Sequence, residues 1–141
     1  MTTVLADARL GVMVADTGAG DGDRQWPGTR KVWRIPGALV GFAGVYALFD
    51  PFLAWLRTGM FSAAPPMLGA SVLVLDAAGL WVFDDSAVPL LVECGREAIG
   101  TGAKAALAAH EALGYADARR AVQIACRYDA ASRAPVRSYR L

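Results

Sequence analysis

The sequence predicts an α+β fold in which antiparallel strands and helices occupy separate stretches of the chain. Short apolar runs bounded by turn residues recur along most of the chain, as is typical of strands in hairpins. Apolar residues at helical spacing occur once in the middle of the chain and in two runs near its end. Because hairpins rather than strand–helix–strand crossovers join the strands, this order favours two antiparallel sheets packed together, with the helices outside them.

The first part of the chain is predicted to form two hairpins and a helix. A turn at Leu10-Gly11 joins the first pair of strands, and Pro36-Gly37 joins the second pair. Residues 17–29, between the hairpins, are rich in glycine and aspartate without any period and are predicted as a loop. Residues 44–56 place apolar side chains at helical spacing, with Pro51 in the first turn or at a kink. The predicted strands are Thr2–Arg9, Gly11–Asp16, Arg30–Ile35 and Ala38–Ala43.

The second part is predicted to add a linker, further strands and a pair of helices. Proline and glycine make residues 58–69 a linker by composition. Gly114 is the expected stop of the first late helix, and Asp117 is the expected N-cap of the second. The predicted strands are Ala70–Asp76, Leu80–Phe83, a short strand within Val88–Ile99, and Val136–Leu141, and the helices cover residues 101–113 and 117–128.

Composition limits the classes of function that the chain can serve. Its 141 residues suit a single domain, residues 1–141. The 14 basic and 13 acidic residues nearly balance, so no nucleic-acid partner is indicated. Apolar residues make up 55% of the chain, and we expect part of that surface to be covered in a homo-oligomer.

The sequence also argues against export, membrane insertion and metal binding. Charged residues interrupt the N-terminus before any apolar signal segment, and the most apolar window, residues 39–56, contains Asp50 and a proline. Cys94 and Cys126 lack ligand spacing, so a reduced, cytoplasmic chain without a cofactor is expected. His110 is the only histidine, and we expect an ordinary surface or half-buried side chain.

The first candidate for chemistry is the start of the chain. Aminopeptidases remove an initiator methionine that precedes a small residue, and loss of Met1 would leave Thr2 with a free α-amino group. Such a residue holds a nucleophile and a base together, because its hydroxyl attacks while an amine with a pKa of about 7.7–8.0 accepts the proton. The alternative is a strand that merely begins with two threonines, and these residues alone favour that alternative.

A lysine and two glycines are the next candidates. Lys31 lies two residues before Trp33 on a predicted strand, so both side chains are expected on one face. If that face is the core, a buried lysine marks function; otherwise it is a solvated strand lysine, which is commoner. Gly41 and Gly44 flank the end of a strand, where a free N–H could stabilise an oxyanion, although a tight turn would also explain them.

Two polar groups later in the chain complete the candidates. Thr101 stands between two glycines at a predicted helix start, where it is either a site residue or an N-cap. Asp129 and Ser132 follow the last predicted helix and, taken alone, form a polar loop.

The order of these signals is more informative than any one of them. An N-terminal threonine, Arg-Lys-Val at 30–32, Gly-Phe-Ala-Gly at 41–44 and Ala-Ile-Gly-Thr-Gly at 98–102 occur in one sequence. This set resembles the bacterial peptidase HslV and the wider proteasome β-subunit family of N-terminal-nucleophile hydrolases, over most of the chain. The resemblance implies a four-layer αββα sandwich, shortened by one helix because residues 58–69 stand where relatives have a second long helix.

The resemblance also implies a catalytic set. Thr2 matches the nucleophile, Lys31 the lysine that lowers its proton affinity, and Asp16 the aspartate that pairs with that lysine. Ala15 stands where relatives carry glycine, so this strand looks short. A one-residue slip would turn the aspartate to the other face, whereas a slip of about two residues or a bulge would restore its position. Gly44 is the best match to the oxyanion-hole glycine, and Gly41 is the second choice.

The remaining matches concern the terminal amine and the substrate. Thr101 stands where the family has the serine of Gly-Ser-Gly. Asp129 and Ser132 resemble the Asp-x-x-Ser pair that orients the amine. Trp33 and Phe42 would then help to line the pocket for the substrate side chain, which implies an apolar preference.

Three hypotheses about function follow. The first is a threonine endopeptidase that cuts unfolded polypeptide inside a homo-oligomeric ring, with an ATP-dependent unfoldase as partner by resemblance alone. The second is a catalytically degenerate structural or scaffolding subunit with the same fold, and the third is a small-amide hydrolase. Retention of Met1 would exclude catalysis by this route, whereas a closed pocket rather than a groove beside Thr2 would favour the third.

Overall fold

The computed structural model describes residues 2–21, 24–26, 28–60 and 62–141. The strands are β1 (Val4–Asp7), β2 (Val12–Asp16), β3 (Ala19–Asp21), β4 (Arg24–Trp26), β5 (Val32–Ile35), β6 (Ala38–Ala43), β7 (Ser71–Asp76), β8 (Gly79–Phe83), β9 (Leu90–Leu91), β10 (Arg96–Ile99) and β11 (Val136–Arg140). The helices are α1 (Phe49–Arg57), α2 (Ala103–Ala112) and α3 (Ala118–Tyr128), and a 3-10 turn, Tyr46–Leu48, precedes α1.

Two antiparallel sheets form the centre of the molecule. The first sheet has the order β10-β1-β2-β11, and the second has the order β5-β6-β7-β8-β9. In β1, Val4 packs into the core between the sheets, whereas the next residue, Leu5, packs into the core under α2 and α3. This alternation follows from the two-residue period of a strand, and it explains why a strand buried on both faces is apolar throughout.

The helices cover the two outer faces of the sheet pair. α2 and α3 pack on the first sheet through small residues, including Ala106 and Ala121. α1 covers the second sheet, where Phe49 and Phe52 pack against the outward side chains of β6 and β7. The layers are therefore α1, second sheet, first sheet and the α2–α3 pair, which confirms the predicted α+β sandwich of antiparallel sheets.

Several boundaries differ from the sequence prediction. Residues 17–29 were predicted to be a loop, but they contain the hairpin of β3 and β4. The stretch Val88–Ile99 holds two strands rather than one, and they belong to different sheets. β5 begins at Val32 instead of Arg30.

The helix termini follow the sequence signals. Pro51 occupies the first turn of α1, where its missing N–H costs no helical hydrogen bond. Asp117 caps α3, and its carboxylate accepts the backbone N–H of Arg120 at 2.8 Å. Within the described parts of residues 58–70 no helix follows α1, in agreement with the predicted linker. Among the described residues, no helix is both long and apolar enough to cross a membrane.

Candidate active site

A buried ion pair joins the two sheets near the start of the chain. Lys31 immediately precedes β5, and its Nζ lies 2.7 Å from Oδ1 of Asp16 at the end of β2. The side chains of Lys31 and Asp16 are 2% and 0% exposed. The sequence left open whether this lysine is solvated, and the structure places it in the interior beside its predicted partner.

Asp16 also holds the backbone around it. Its Oδ1 accepts the N–H of Thr3 at 2.8 Å, and its Oδ2 accepts the N–H groups of Gly18 and Arg133 at 3.1 and 3.0 Å. The residue needs no bulge to reach these groups, because the regular β1–β2 register pairs Ala15 with Val4. With Lys31, four hydrogen-bond donors surround this carboxylate, and they compensate for the water that it loses on burial.

A second polar network lies after α3. The hydroxyl groups of Thr101 and Ser132 donate to Oδ2 of Asp129 at 2.7 and 2.5 Å, respectively. Thr101 is therefore not an N-cap: Gly102 occupies the cap position of α2 and makes no side-chain capping bond. Asp129 and Ser132, which resemble the pair that orients the amine, thus contact each other and Thr101, rather than forming an unconnected polar loop.

Glycines allow this network to approach the first residues of the chain. A Cβ atom on Gly100, whose φ is +93°, would lie 2.0 Å from the carbonyl oxygen of Thr2. A Cβ atom on Gly102 would lie 2.0 Å from Oγ1 of Thr3. The Gly-Thr-Gly motif is therefore required for close contact with the start of β1, since real side chains do not approach other atoms so closely.

Thr2 lines an open cleft of about 340 Å³. The other lining residues are Ala43, Gly44, Gly69, Ser71, Gly100 and Thr101. Gly44 follows β6 with a φ of +143° and, having no side chain, faces the cleft with backbone atoms. Gly41, the second choice for an oxyanion glycine, is buried instead, and a Cβ atom there would lie 2.7 Å from the side chains of Met13 and Val4 in the core between the sheets.

The predicted pocket aromatics lie elsewhere. Phe42 is 3% exposed and packs with Phe49 under α1, with ring centroids 5.0 Å apart. Trp33 packs against the same Phe49, with ring centroids 4.0 Å apart. Neither aromatic residue is among the described residues that line the cleft, so their part in a substrate pocket stays a prediction.

Burial and hydrogen bonding shift the pKa values of the charged groups. Burial lowers the pKa of Lys31, and the attraction of Asp16 offsets only part of that effect. Burial alone would raise the pKa of Asp129, but the hydroxyl donors of Ser132 and Thr101 outweigh it, so this pKa lies below its usual value. Burial raises the pKa of the Cys126 thiol, which lies near these groups, to about 11.

Sequence reasoning missed a buried pair far from the cleft. His110 was expected at the surface or half-buried, but it is fully buried, and its Nε2 lies 2.8 Å from Oδ2 of Asp7. The same carboxylate accepts Nε of Arg96 at 3.0 Å, and Arg96 stacks on the ring of Tyr115. These residues come from three elements and a turn, so no local pattern in the sequence indicates the pair.

Apart from Gly41, Trp33 and Phe42, the candidate residues lie together near the start of β1. Met1, whose removal the hypothesis requires, lies outside the described residues. Thr3 was not predicted as a site residue, yet its N–H contacts Asp16 and its hydroxyl contacts Ser132 at 2.5 Å. The arrangement places the hydroxyl residue Thr2, a buried ammonium and the backbone groups at the cleft in one region of the fold, and acyl transfer needs groups of these kinds.

Comparison with known proteins supports this fold. No protein-family model matches the chain, and no curated protein matches its sequence. Among solved structures, it is similar to Thiobacillus denitrificans BPH in complex with epoxomicin, with a TM-score of 0.77, 19% identity, and coverage of 99% of this chain and 98% of that one. It is also similar to eukaryotic HslV from Trypanosoma brucei, with a TM-score of 0.75, 24% identity, and 98% coverage of both chains. A second structure of Thiobacillus denitrificans BPH has a TM-score of 0.75 and 17% identity, and covers 100% of this chain and 97% of that one. The resemblance noted in the sequence is thus confirmed at the level of three-dimensional structure: this chain has the fold of HslV.

Proposed function

We propose that this chain is a threonine peptidase of the HslV kind, with Thr2 as its nucleophile after loss of Met1. The observation that carries the proposal is the meeting of two networks at the start of β1. Asp16, with its partner Lys31, binds the strand from one side, and the Asp129 network contacts it from the other. Thr2 itself lines an open cleft beside them.

The proposed chemistry begins with the hydroxyl of Thr2 attacking a substrate carbonyl while the terminal amine takes its proton. Lys31 supplies a positive charge that favours the ionised form of the hydroxyl, and Asp16 fixes the position of that charge. The backbone of Gly44 at the cleft supplies an N–H for the tetrahedral oxyanion.

Three further residues orient the amine. Asp129, which accepts two hydroxyl donors, holds Ser132 and Thr101 in place at the end of α3 and the start of α2. Thr101 Oγ1 and Gly102 N lie 3.5 and 3.4 Å from the carbonyl oxygen of Thr2, which keeps the backbone of the nucleophile close to this group.

The substrate in this proposal is unfolded polypeptide, and the working form is a homo-oligomeric ring in which the clefts face an inner chamber. The open cleft and the HslV-like fold support the polypeptide substrate, and the epoxomicin complex of one structural neighbour supports an N-terminal nucleophile. An ATP-dependent unfoldase is part of the proposal only by analogy with the HslV family.

The test is the intact mass of the purified protein before and after treatment with a peptide epoxyketone such as epoxomicin. We expect a mass without methionine and one adduct, because this reagent needs both the hydroxyl and the free amine of an N-terminal threonine. Thr2→Ala should abolish the adduct. Thr58→Ala, which changes an exposed threonine after α1, is the matched control and should react normally.

A structural subunit without activity is the second candidate. The specific observation in its favour is the linker after α1, which stands where HslV relatives have a second long helix. Retained Met1 with no adduct would assign this role to the isolated chain. Cleavage of small amides without cleavage of peptides would instead indicate a small-amide hydrolase.

A further inference from the structure

Thr3 occupies a position between the two networks of the candidate site. It has no exposed surface. Its N–H donates to Oδ1 of Asp16 at 2.8 Å, its carbonyl accepts the N–H of the same residue at 3.1 Å, and its Oγ1 lies 2.5 Å from Oγ of Ser132. All three polar groups of Thr3 therefore have partners within the site.

The carboxylate of Asp129 determines which hydroxyl group donates in each of the hydrogen bonds that join Thr3, Ser132 and Asp129. The carboxylate of Asp129 can only accept, so the single proton of the Ser132 hydroxyl points to it at 2.5 Å. The Ser132 oxygen is then left to accept, and the proton between the two hydroxyls belongs to Thr3. The chain thus runs from Thr3 through Ser132 to Asp129, with each hydroxyl donating once.

Glycine at position 102 makes room for the Thr3 hydroxyl. Gly102 has a φ of −87°, which any residue adopts, so backbone conformation does not require glycine there. A Cβ atom at this position would lie 2.0 Å from Oγ1 of Thr3 and 3.1 Å from Oγ of Ser132. Glycine at 102 is therefore explained by the presence of a hydroxyl at position 3.

We propose that Thr3 is a positioning residue for the nucleophile: by binding Asp16 through its N–H and Ser132 through its hydroxyl, it fixes the peptide that carries Thr2. This inference rests on the proposed function and deepens it. Thr3 itself is buried and does not touch the substrate. Its hydroxyl acts only through Ser132, so loss of the hydroxyl should slow the chemical step and leave the binding of a ligand in the cleft unchanged.

The experiment measures the maximal rate of epoxyketone adduct formation at Thr2 and the reagent concentration that gives half of it. Thr3→Ser keeps the hydroxyl and loses only a methyl group, whereas Thr3→Ala loses both, so comparison of the two isolates the hydroxyl. We expect Thr3→Ala to lower the maximal rate about tenfold relative to Thr3→Ser, the size of effect that one buried hydrogen bond supports. The half-saturating concentration should change less than about twofold.

A double-mutant comparison separates positioning through Ser132 from general packing. In a Ser132→Ala background, the same change from Thr3→Ser to Thr3→Ala should have no further effect, because the acceptor is already absent. Thr17→Ala is the matched control: this threonine is also buried, but its hydroxyl donates to the carbonyl of Pro135 at 2.8 Å, outside the network. It should label at the wild-type rate.

The outcomes distinguish this inference from the proposed function. If the wild-type chain forms no adduct, the proposed function fails and the role of Thr3 fails with it. If the wild type reacts but Thr3→Ala and Thr3→Ser react equally fast, Thr3 does not position the nucleophile through its hydroxyl. An undiminished tenfold effect in the Ser132→Ala background would likewise overturn the inference.

Discussion

The buried pair of Lys31 and Asp16 gives the most demanding test of this site. Lys31→Met keeps the length of the side chain but removes its charge. Breaking a buried ion pair by removing one partner costs about 3–5 kcal/mol, because the other charge stays buried without its counterion. Asp16 retains three backbone N–H donors, which stabilise its charge, so we expect a loss near the lower end of that range, about 3 kcal/mol.

The reciprocal change completes a thermodynamic cycle. Asp16→Asn places an amide among backbone donors that need acceptors, so we expect a loss of about 3 kcal/mol here too. The double variant has no buried charge at this point. Its loss should therefore be smaller than the sum of the single losses by about 2 kcal/mol, within the range of coupling found for residues in direct contact.

Urea unfolding at pH 7, followed by tryptophan fluorescence and circular dichroism, measures these free energies. Lys104→Met makes the same substitution at an exposed position of α2 and should change the free energy of unfolding by less than about 0.5 kcal/mol. Single losses that add within about 0.5 kcal/mol would show that the pair does not interact in the folded chain. That result would also remove the basis for assigning the buried ammonium to the site.

Three further predictions test individual features of the fold. In urea titrations, Gly100→Ala should lower the free energy of unfolding by at least about 2 kcal/mol more than Gly114→Ala. Both glycines have a positive φ, but only Gly100 lies against a backbone oxygen. Equal losses would contradict the close approach of Gly100 to that oxygen. Burial by itself would raise the pKa of Asp7. The hydrogen-bond donors around its carboxylate together outweigh burial, so the pKa lies below its ordinary value of 3.8. Asp7→Asn should therefore cost about 3 kcal/mol at pH 7, and the difference from wild type should shrink as the pH falls below 3.8, where the wild type loses its carboxylate contribution. Iodoacetamide at pH 8 should modify the exposed Cys94 first and Cys126 only on unfolding. The reason is that burial raises the pKa of the Cys126 thiol to about 11. Peptide mass mapping measures the order of modification.

The sequence predicted those parts of the molecule that local pattern controls. The apolar run that ends in Asp16 and the Pro-Gly turn before β6 are local features, and both fall where expected. The resemblance placed Thr101 and Asp129 in one site without pairing them, and residues 28 positions apart share no local signal that would predict their hydrogen bond. The order of the short motifs along the chain, compared with that in the HslV family, indicated that these residues belong to one site.

Other features depend on contacts that no local pattern encodes. The two-residue period shows that Gly41 and Phe42 face opposite sides of β6, but not which side borders the cleft. Asp7 and His110 pair across 103 positions, and a single histidine in an alanine-rich helix gives no sign of a buried partner. The β3–β4 hairpin was missed because its glycine- and aspartate-rich composition is also that of loops.

Helix α1 and the polar networks of the candidate site lie in different parts of the fold. Asp16 ends β2 of the first sheet and Thr3 immediately precedes β1, and the Asp129 network joins the start of α2 to the end of α3 on the same side. Lys31 immediately precedes β5 and Gly44 immediately follows β6, and neither residue belongs to the hydrophobic core under α1. The linker after α1 reaches the site at its end, where Gly69 lines the cleft with Thr2 and Gly44. Because the polar networks of the site lie outside the α1 layer, we expect the proposed adduct formation at Thr2 not to depend on whether α1 contributes to an assembly.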